Sequence, residues 1–179
     1  IARRRTISEG IVPARNAELV AVMDAVPGVC AEVARQFNVK ACHTVEDLMA
    51  DPGVQAVYIA SPADQHAGQF IACAKAGKHV LCEKPLAHSI SSARRMLQAA
   101  QRAGIKATEG YMMKFHPLHR HARDRVLGGK LGKVVSVRGQ LSCWYPPIEG
   151  AWRQDPRRGG GGSLADMGTH IFDLLQYIL

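Results

Sequence analysis

A charged pair follows directly on an apolar stretch at His79–Leu86, which reads His-Val-Leu-Cys-Glu-Lys-Pro-Leu. The apolar residues predict a strand, and Pro85 ends it because proline has no backbone N–H to donate. Ligands of open α/β sheets bind in the crevice outside the carboxyl ends of the strands. Glu83 and Lys84 are therefore candidate site residues, and a surface salt bridge in a turn is the alternative.

A second candidate group lies further along the chain, after the four glycines Gly159–Gly162. These glycines permit a sharp turn, and Ser163 can cap a helix that follows it. On a regular α-helix Asp166 and His170 would be about 40° apart, on one stripe beside a separate apolar face. A carboxylate one turn from an imidazole can orient it and keep its pKa suited to proton transfer.

Other interpretations of this helix stay open at this stage. Asp166 and His170 can form an ordinary i,i+4 pair on an exposed surface. A metal site would add Asp173 and the histidines between residues 116 and 121 to this pair. These residues match no known ligand spacing, so the sequence predicts no metal.

Polar residues also end two earlier apolar stretches. Asp24 follows one, and an acid at the end of the second strand of a dinucleotide fold can bond the adenosine ribose hydroxyls. A turn or capping aspartate is the alternative. The glycine-rich turn that would accompany it is not in the sequence, so we expect the chain to begin inside a longer protein, with Ile1-Ala2 just after that turn. Ser61-Pro62 and then His66 end the next stretch, where a lone histidine is more often a solvated turn residue.

Elements that could position these residues are visible along the first two-thirds of the chain. Short apolar runs predict strands over Glu18–Met23, Val54–Ala60, His79–Cys82 and Ile105–Thr108. Helical spacing predicts helices over Val29–Phe37, Val45–Met49, Ala67–Ala76 and from Ser89 or Ser91 to Gly104. Strands that alternate with helices indicate an α/β fold with a parallel, doubly wound sheet.

The pattern changes near residue 110, which we take as a domain boundary between residues 1–110 and 111–179. A helix is predicted over His116–Leu127. Val134–Ser142 then alternates apolar and polar residues, as a strand with one exposed face does. We therefore expect the second segment to begin an α/β domain with a mostly antiparallel sheet.

Composition excludes several classes of protein. The net charge is +8, but the arginines are scattered, aromatic residues make up only 6% of the chain, and no nucleic-acid-binding motif occurs. No apolar run approaches 18 residues, so no membrane span is predicted. Five cysteines without a Cys-x-x-Cys pair favour reduced thiols and a cytoplasmic setting.

Taken together, these motifs resemble the Gfo/Idh/MocA oxidoreductases. The resemblance rests on Glu83-Lys84-Pro85 at a strand end, on Ser61-Pro62 and His66 before it, and on Trp152-Arg153, the glycine run and Asp166-x-x-x-His170 after it. It covers nearly the whole chain in the same order. Gly110–Pro117 is also similar to the family's segment between its two domains.

The resemblance implies a Rossmann domain followed by an α/β domain, and hydride transfer between a nicotinamide cofactor and a hydroxyl or carbonyl of a sugar, cyclitol or related diol. The implied catalytic residues are Lys84, His170 and Asp166, with a cis bond before Pro85. The residues implied to border the cofactor are Asp24, Ser61, Pro62, His66, Glu83, Lys84, Trp152 and Arg153. The cofactor would be NAD, with NADP possible, and the full-length protein is expected to form a homo-oligomer.

Two departures from the family pattern matter. The phosphate-binding glycine loop is not in the sequence, and the usual Thr-Pro-Asn is Ser61-Pro62-Ala63 here. Some relatives of this family keep the fold and act as non-catalytic, cofactor-binding sensors or co-repressors. The presence of both Lys84 and His170 favours an enzyme.

Overall fold

The computed structural model describes residues 2–159 and 161–179 of the 179-residue chain. Ile1, expected near the first helix, and Gly160 of the predicted glycine run lie outside the described residues. The described chain forms two compact units from discontinuous segments. Unit 1 contains residues 1–60, 68–81 and 94–108, and unit 2 contains residues 61–67, 82–93 and 109–179. Each unit is described by itself.

Five short strands alternate with helices through the first 109 residues. A helix of π geometry, Ala2–Ile11, comes first. The strands are β1 (Ala21–Met23), β2 (Lys40–Cys42), β3 (Ala56–Ile59), β4 (His79–Cys82) and β5 (Ala107–Glu109). The helices between them are α1 (Pro27–Phe37), α2 (Val45–Ala50), α3 (Ala63–Lys75) and α4 (Ile90–Ala103). The predicted alternation is confirmed for four of these strands, of which β4 has the predicted bounds and the other three are shorter than their apolar runs. Strand β2 was not predicted.

The strands pair in two groups. β1 and β2 are parallel, with Ala21 opposite Lys40 and Met23 opposite Cys42. The other group has the order β3–β4–β5. A helix joins each strand to the next, as the crossover between parallel strands requires.

Local signals explain one end each of helices α1, α2 and α4. Thr44 and Asp47 cap α2 reciprocally, each side chain accepting the other residue's backbone N–H. The Ser89 hydroxyl accepts the backbone N–H of Ser92, which identifies Ser89 rather than Ser91 as the cap of α4. Asn38 ends α1 with a φ of 53°, in the left-handed region that asparagine tolerates.

Unit 1 holds most of the buried apolar side chains. They come from the strands and from helices α1, α3 and α4: Cys30, Val33, Cys42, Ile59, Phe70, Cys73, Val80 and Met96. Met96 is fully buried. Burial also raises the pKa of the Cys73 thiol to about 11, so this thiol stays protonated. None of the five cysteines forms a disulfide bond.

Unit 2 contains the helices of the second segment. They are α5 (Pro117–Leu127), α6 (Pro156–Gly159) and α7 (Thr169–Ile178), with 3₁₀ turns at Met113–Phe115 and Trp152–Gln154. Arg123 of α5 donates to the backbone oxygen of Tyr177 at 3.0 Å, and its guanidinium lies 5.0 Å from the centre of the Tyr177 ring. This contact fixes α5 against α7.

The strand predicted over Val134–Ser142 is wrong, and the expected antiparallel sheet is not seen among the described residues. The structure shows this segment as irregular chain, and no sheet occurs among the described residues of 111–179. Alternating residues define a strand only if a neighbouring strand accepts their backbone hydrogen bonds. No strand is paired with this segment in the described part of the chain.

No helix among the described residues is both long and apolar enough to cross a membrane.

Candidate active site

The candidate site lies within unit 2, at the turn after β4. This strand ends at Cys82, which is fully buried as the sequence predicts for a small apolar residue. The peptide bond between Lys84 and Pro85 is cis, which confirms the prediction for this proline. The Lys84 side chain is only 9% exposed. The turn therefore holds an ammonium group almost out of solvent.

The ammonium group of Lys84 is held by Asp166. Its Nζ donates to the Asp166 carboxylate and, at 2.7 Å, to the backbone oxygen of the same residue. Nε of Arg153 lies 3.6 Å from the same carboxylate oxygen. Asp166 thus has two cationic neighbours, and one of them is the lysine predicted to be catalytic.

The interpretation of Asp166 as a residue that orients His170 stays a prediction. The imidazole Nδ1 is buried and has no hydrogen-bond partner among the described residues. Leu164–Gly168 has π geometry, so the 40° separation calculated for a regular α-helix does not apply. Asp166 acts on the imidazole through its charge, which favours the protonated form.

His170 lies at the start of α7 and is 5% exposed. Its pKa is lowered, first because burial disfavours the charged imidazolium and second because the Lys84 cation repels it. The opposing influence of Asp166 and other carboxylates is smaller. The imidazole is therefore neutral near pH 7 and can accept a proton.

Two residues that the sequence did not single out for the site, Glu109 and Tyr111, line this region. The Glu109 carboxylate accepts the backbone N–H of Leu86 at 2.8 Å, and burial raises its pKa. Tyr111 meets the His170 ring edge to face, with ring centres 5.6 Å apart. The available signal was their position at the end of β5, where Glu109 is the last residue and Tyr111 follows two residues later, since strand ends are where sites form in such folds.

Asp173, a candidate metal ligand in the sequence, pairs with a lysine. Its carboxylate accepts a hydrogen bond from Lys114 at 2.8 Å. Lys114 lies in the segment predicted to connect the two domains, but its role as this partner was not foreseen. Among the described residues no group of three or more His, Cys, Asp or Glu side chains is arranged to hold a metal ion.

His66 is not a residue of a strand-end turn. Helix α3 begins at Ala63, about four residues earlier than predicted, because Pro62 starts the helix instead of separating it from the strand. His66 is 1% exposed. Its Nδ1 lies 2.9 Å from the backbone oxygen of Pro85 and its Nε2 lies 3.0 Å from that of Ser61. The ring connects the turn of Lys84 to the turn before α3.

We expect His66→Ala to lower the free energy of unfolding by about 2–4 kcal/mol, because it removes a buried ring together with the hydrogen bond that its N–H donates to a backbone oxygen. Urea denaturation of the full-length protein measures this. His43→Ala is the matched control, because His43 is exposed, and it should change stability by less than about 0.5 kcal/mol. Equal effects of the two substitutions would contradict the role of His66.

The remaining residues predicted to border a cofactor have local partners. Asp24 of unit 1 is exposed and accepts the backbone N–H of Val26 at 2.8 Å, as a turn aspartate does. In unit 2, the Arg153 guanidinium lies 4.4 Å from the centre of the Trp152 ring. Cofactor contacts of these residues, and of Ser61, Pro62, His66 and Glu83, stay predictions.

Comparisons with known proteins identify the family. A model of the Gfo/Idh/MocA oxidoreductase family, described by its NAD-binding Rossmann fold, matches residues 2–111. The chain belongs to this family. A model of a Gfo/Idh/MocA C-terminal domain matches residues 119–179. The predicted family and the NAD-binding Rossmann fold are therefore confirmed.

Individual relatives agree with this assignment. The chain is 34% identical to a 1,5-anhydro-D-fructose reductase of Ensifer adhaerens over 171 residues, which is 95% of this chain and 51% of that protein. It is 29% identical to a scyllo-inositol 2-dehydrogenase (NAD+) of Bacillus subtilis, covering 92% of this chain and 47% of that protein. The chain thus spans about half the length of these curated relatives.

A solved structure of levoglucosan dehydrogenase, in complex with NADH and levoglucosan, has the same fold. It superimposes with a TM-score of 0.83 at 31% identity, over 89% of this chain and 44% of that chain. The family members most similar to this chain include NAD(P)-dependent dehydrogenases and reductases of sugars and cyclitols.

Proposed function

We propose that the full-length protein is an NAD(P)-dependent dehydrogenase or reductase acting on a secondary hydroxyl or carbonyl group of a sugar, cyclitol or related diol. One observation carries this proposal. A nearly buried ammonium, Lys84, and a buried neutral imidazole, His170, occur in one unit with Asp166 bound to the lysine. A cation and a base are the two groups that removal of a hydroxyl proton requires.

The residues present fit the reacting end of a nicotinamide cofactor and its substrate. The unpartnered Nδ1 of His170 shows that the imidazole has hydrogen-bonding capacity that the described protein residues do not use. Residues that would hold the cofactor are Asp24, Ser61, Pro62, Glu83, Trp152 and Arg153. His66 would support them through its contacts with the backbone oxygens of Ser61 and Pro85. When bound, the nicotinamide accepts or supplies the hydride.

His170, Lys84 and Asp166 have different roles in the reaction. In the oxidative direction the neutral His170 takes the proton of the substrate hydroxyl, and its lowered pKa keeps it available for this near pH 7. The Lys84 ammonium stabilises the negative charge that develops on the same oxygen. Asp166 keeps that ammonium in place by binding it through both its carboxylate and its backbone oxygen.

The preferred cofactor is NAD because an acid follows β1. We expect Asp24→Ser to lower the ratio of kcat/KM for NAD+ to that for NADP+ by about tenfold, since it removes an acceptor for the ribose hydroxyls and a charge that repels a 2′-phosphate. Steady-state kinetics with both cofactors measure this ratio. Asp64→Ser is the control, because Asp64 pairs with Arg158 instead. An unchanged ratio in Asp24→Ser would exclude this role.

The activity itself is tested with the full-length protein. Levoglucosan and scyllo-inositol are assayed with NAD+ and NADP+, and 1,5-anhydro-D-fructose with NADH and NADPH, by the absorbance of the reduced nicotinamide. Turnover of one or more supports the proposal. Cofactor binding without turnover across a wide panel of polyols and sugars would indicate a non-catalytic sensor instead. In the same proposal residues 1–110 bind the cofactor, and residues 111–179 begin the domain for substrate binding and self-association.

A further inference from the structure

The three residues Glu109, Gly110 and Tyr111 contact both parts of the candidate active site. The backbone N–H of Gly110 donates to the carbonyl oxygen of Cys82 at 2.8 Å, at the residue where β4 ends. The backbone N–H of Tyr111 donates to the backbone oxygen of Glu109, also at 2.8 Å. The segment therefore has a fixed backbone, from which one side chain reaches the Lys84 turn and the other reaches the His170 ring.

The Glu109 side chain reaches the Lys84 turn. Its Oε1 accepts the N–H of Leu86, two residues after Lys84. One residue earlier in this turn, the backbone oxygen of Pro85 lies 2.9 Å from Nδ1 of the buried His66 ring. The backbone on which Lys84 is mounted is thus held at Pro85 by an imidazole and at Leu86 by a carboxylate.

The Tyr111 side chain reaches His170. Its ring meets the imidazole at 80°, with ring centres 5.6 Å apart. Thr169, the residue before His170, and Glu109 are among the groups that shift the pKa of this hydroxyl. Burial is the main cause that raises the pKa of Tyr111 to about 12, so the hydroxyl stays protonated. The ring therefore packs edge to face against the imidazole at the start of α7.

We propose that Glu109 and Tyr111 are positioning residues. They hold the Lys84 ammonium and the His170 imidazole where both can act on one substrate oxygen, by charge stabilisation and by proton transfer. Neither side chain needs to contact the substrate. This inference rests on the proposed function. It assigns the positioning of Lys84 and His170 to Glu109 and Tyr111, which lie at and just after the end of β5.

Glu109 is tested by comparing Glu109→Leu with Glu109→Gln in the full-length protein. Glutamine keeps an oxygen that accepts the Leu86 N–H, whereas leucine fills the space without an acceptor. We expect Glu109→Leu to lower kcat and kcat/KM together by about 100-fold, as a misplacement near 1 Å does. Glu109→Gln should stay within about threefold of the wild type. A folded Glu109→Leu protein with near wild-type kcat would overturn the role of Glu109.

Tyr111 is tested by comparing Tyr111→Ala with Tyr111→Phe. Phenylalanine keeps the ring against His170, and alanine exposes the imidazole to water. The charged and titratable groups around this imidazole are Lys84, Glu83, Asp166, Asp173 and Tyr111 itself. All but Tyr111 are unchanged in both variants. We therefore expect the His170 pKa to rise towards the ordinary value of about 6.5 in Tyr111→Ala, and to stay lowered in Tyr111→Phe.

NMR titration of the histidine rings, with the His170 signal assigned from His170→Asn, measures this pKa without any turnover. An unchanged His170 pKa in folded Tyr111→Ala would overturn the role of Tyr111, and Tyr111→Leu serves in its place if the alanine variant does not fold. Failure of the proposed function is distinguishable. A wild-type protein that turns over no polyol or sugar would refute that function, while the NMR comparison would still report whether Tyr111 covers His170.

Discussion

Replacement of Lys84 by methionine is expected to lower kcat of the full-length protein by about 10²- to 10³-fold, the range found when one preorganised donor to a developing oxyanion is removed. Methionine keeps much of the length and apolar character of lysine, so the buried stem of the side chain is replaced by a similar shape. What is lost is the charge that Asp166 holds in place. KM should change much less than kcat, because the charge on the oxygen develops only in the transition state.

The matched control for this variant is Lys40→Met. Lys40 also pairs with an aspartate, Asp51, at 2.6 Å, but its side chain is 58% exposed and lies in unit 1. Removal of an exposed ion pair costs less than about 1 kcal/mol of stability and touches no proposed reacting group. Kinetics on both variants, with thermal unfolding to verify folding, separate the two cases. Near wild-type kcat in Lys84→Met would refute the proposed role of Lys84.

The sequence was most informative where a local pattern alone determines position. β4 is a short apolar run that ends at a charged pair, so Lys84 could be placed at a strand end without knowledge of any contact. The caps of α2 and α4 are likewise local. The partner of Lys84 could not be read in this way, because 82 residues separate it from Asp166 along the chain.

Errors arose where a local rule had competing outcomes. Pro62 can end a strand or start a helix, and the second outcome moved His66 from an exposed turn into a buried helical position. The 40° angle between Asp166 and His170 assumed 3.6 residues per turn, but the segment before α7 has a wider, π-helical turn. Val134–Ser142 has strand periodicity, yet a strand also needs a partner. Glu109 and Tyr111 escaped notice because only their tertiary contacts distinguish them from other residues after a strand.

Replacement of His170 by asparagine is expected to lower kcat for oxidation by about 10²- to 10⁴-fold, the usual contribution of a general base. The pH dependence gives a sharper test than the rate alone. In the oxidative direction the imidazole must be neutral, so wild-type kcat/KM should rise with pH through the pKa of His170 and then level off. Because burial and Lys84 lower that pKa, the rise should lie below the ordinary value of about 6.5. In the reductive direction the imidazolium donates the proton, so the rate should fall over the same pH range.

The free energy of unfolding should also depend on pH through the titration of His170. The unfolded chain binds a proton at His170 more readily than the folded protein does, so the free energy of unfolding decreases as pH falls from the unfolded pKa to the lowered folded one. His170→Asn should remove both this pH dependence of stability and the acidic limb of the pH profile of kcat/KM. His121→Asn, on the exposed surface of α5, should leave both unchanged. A His170→Asn protein that keeps the wild-type acidic limb would show that another group takes the proton.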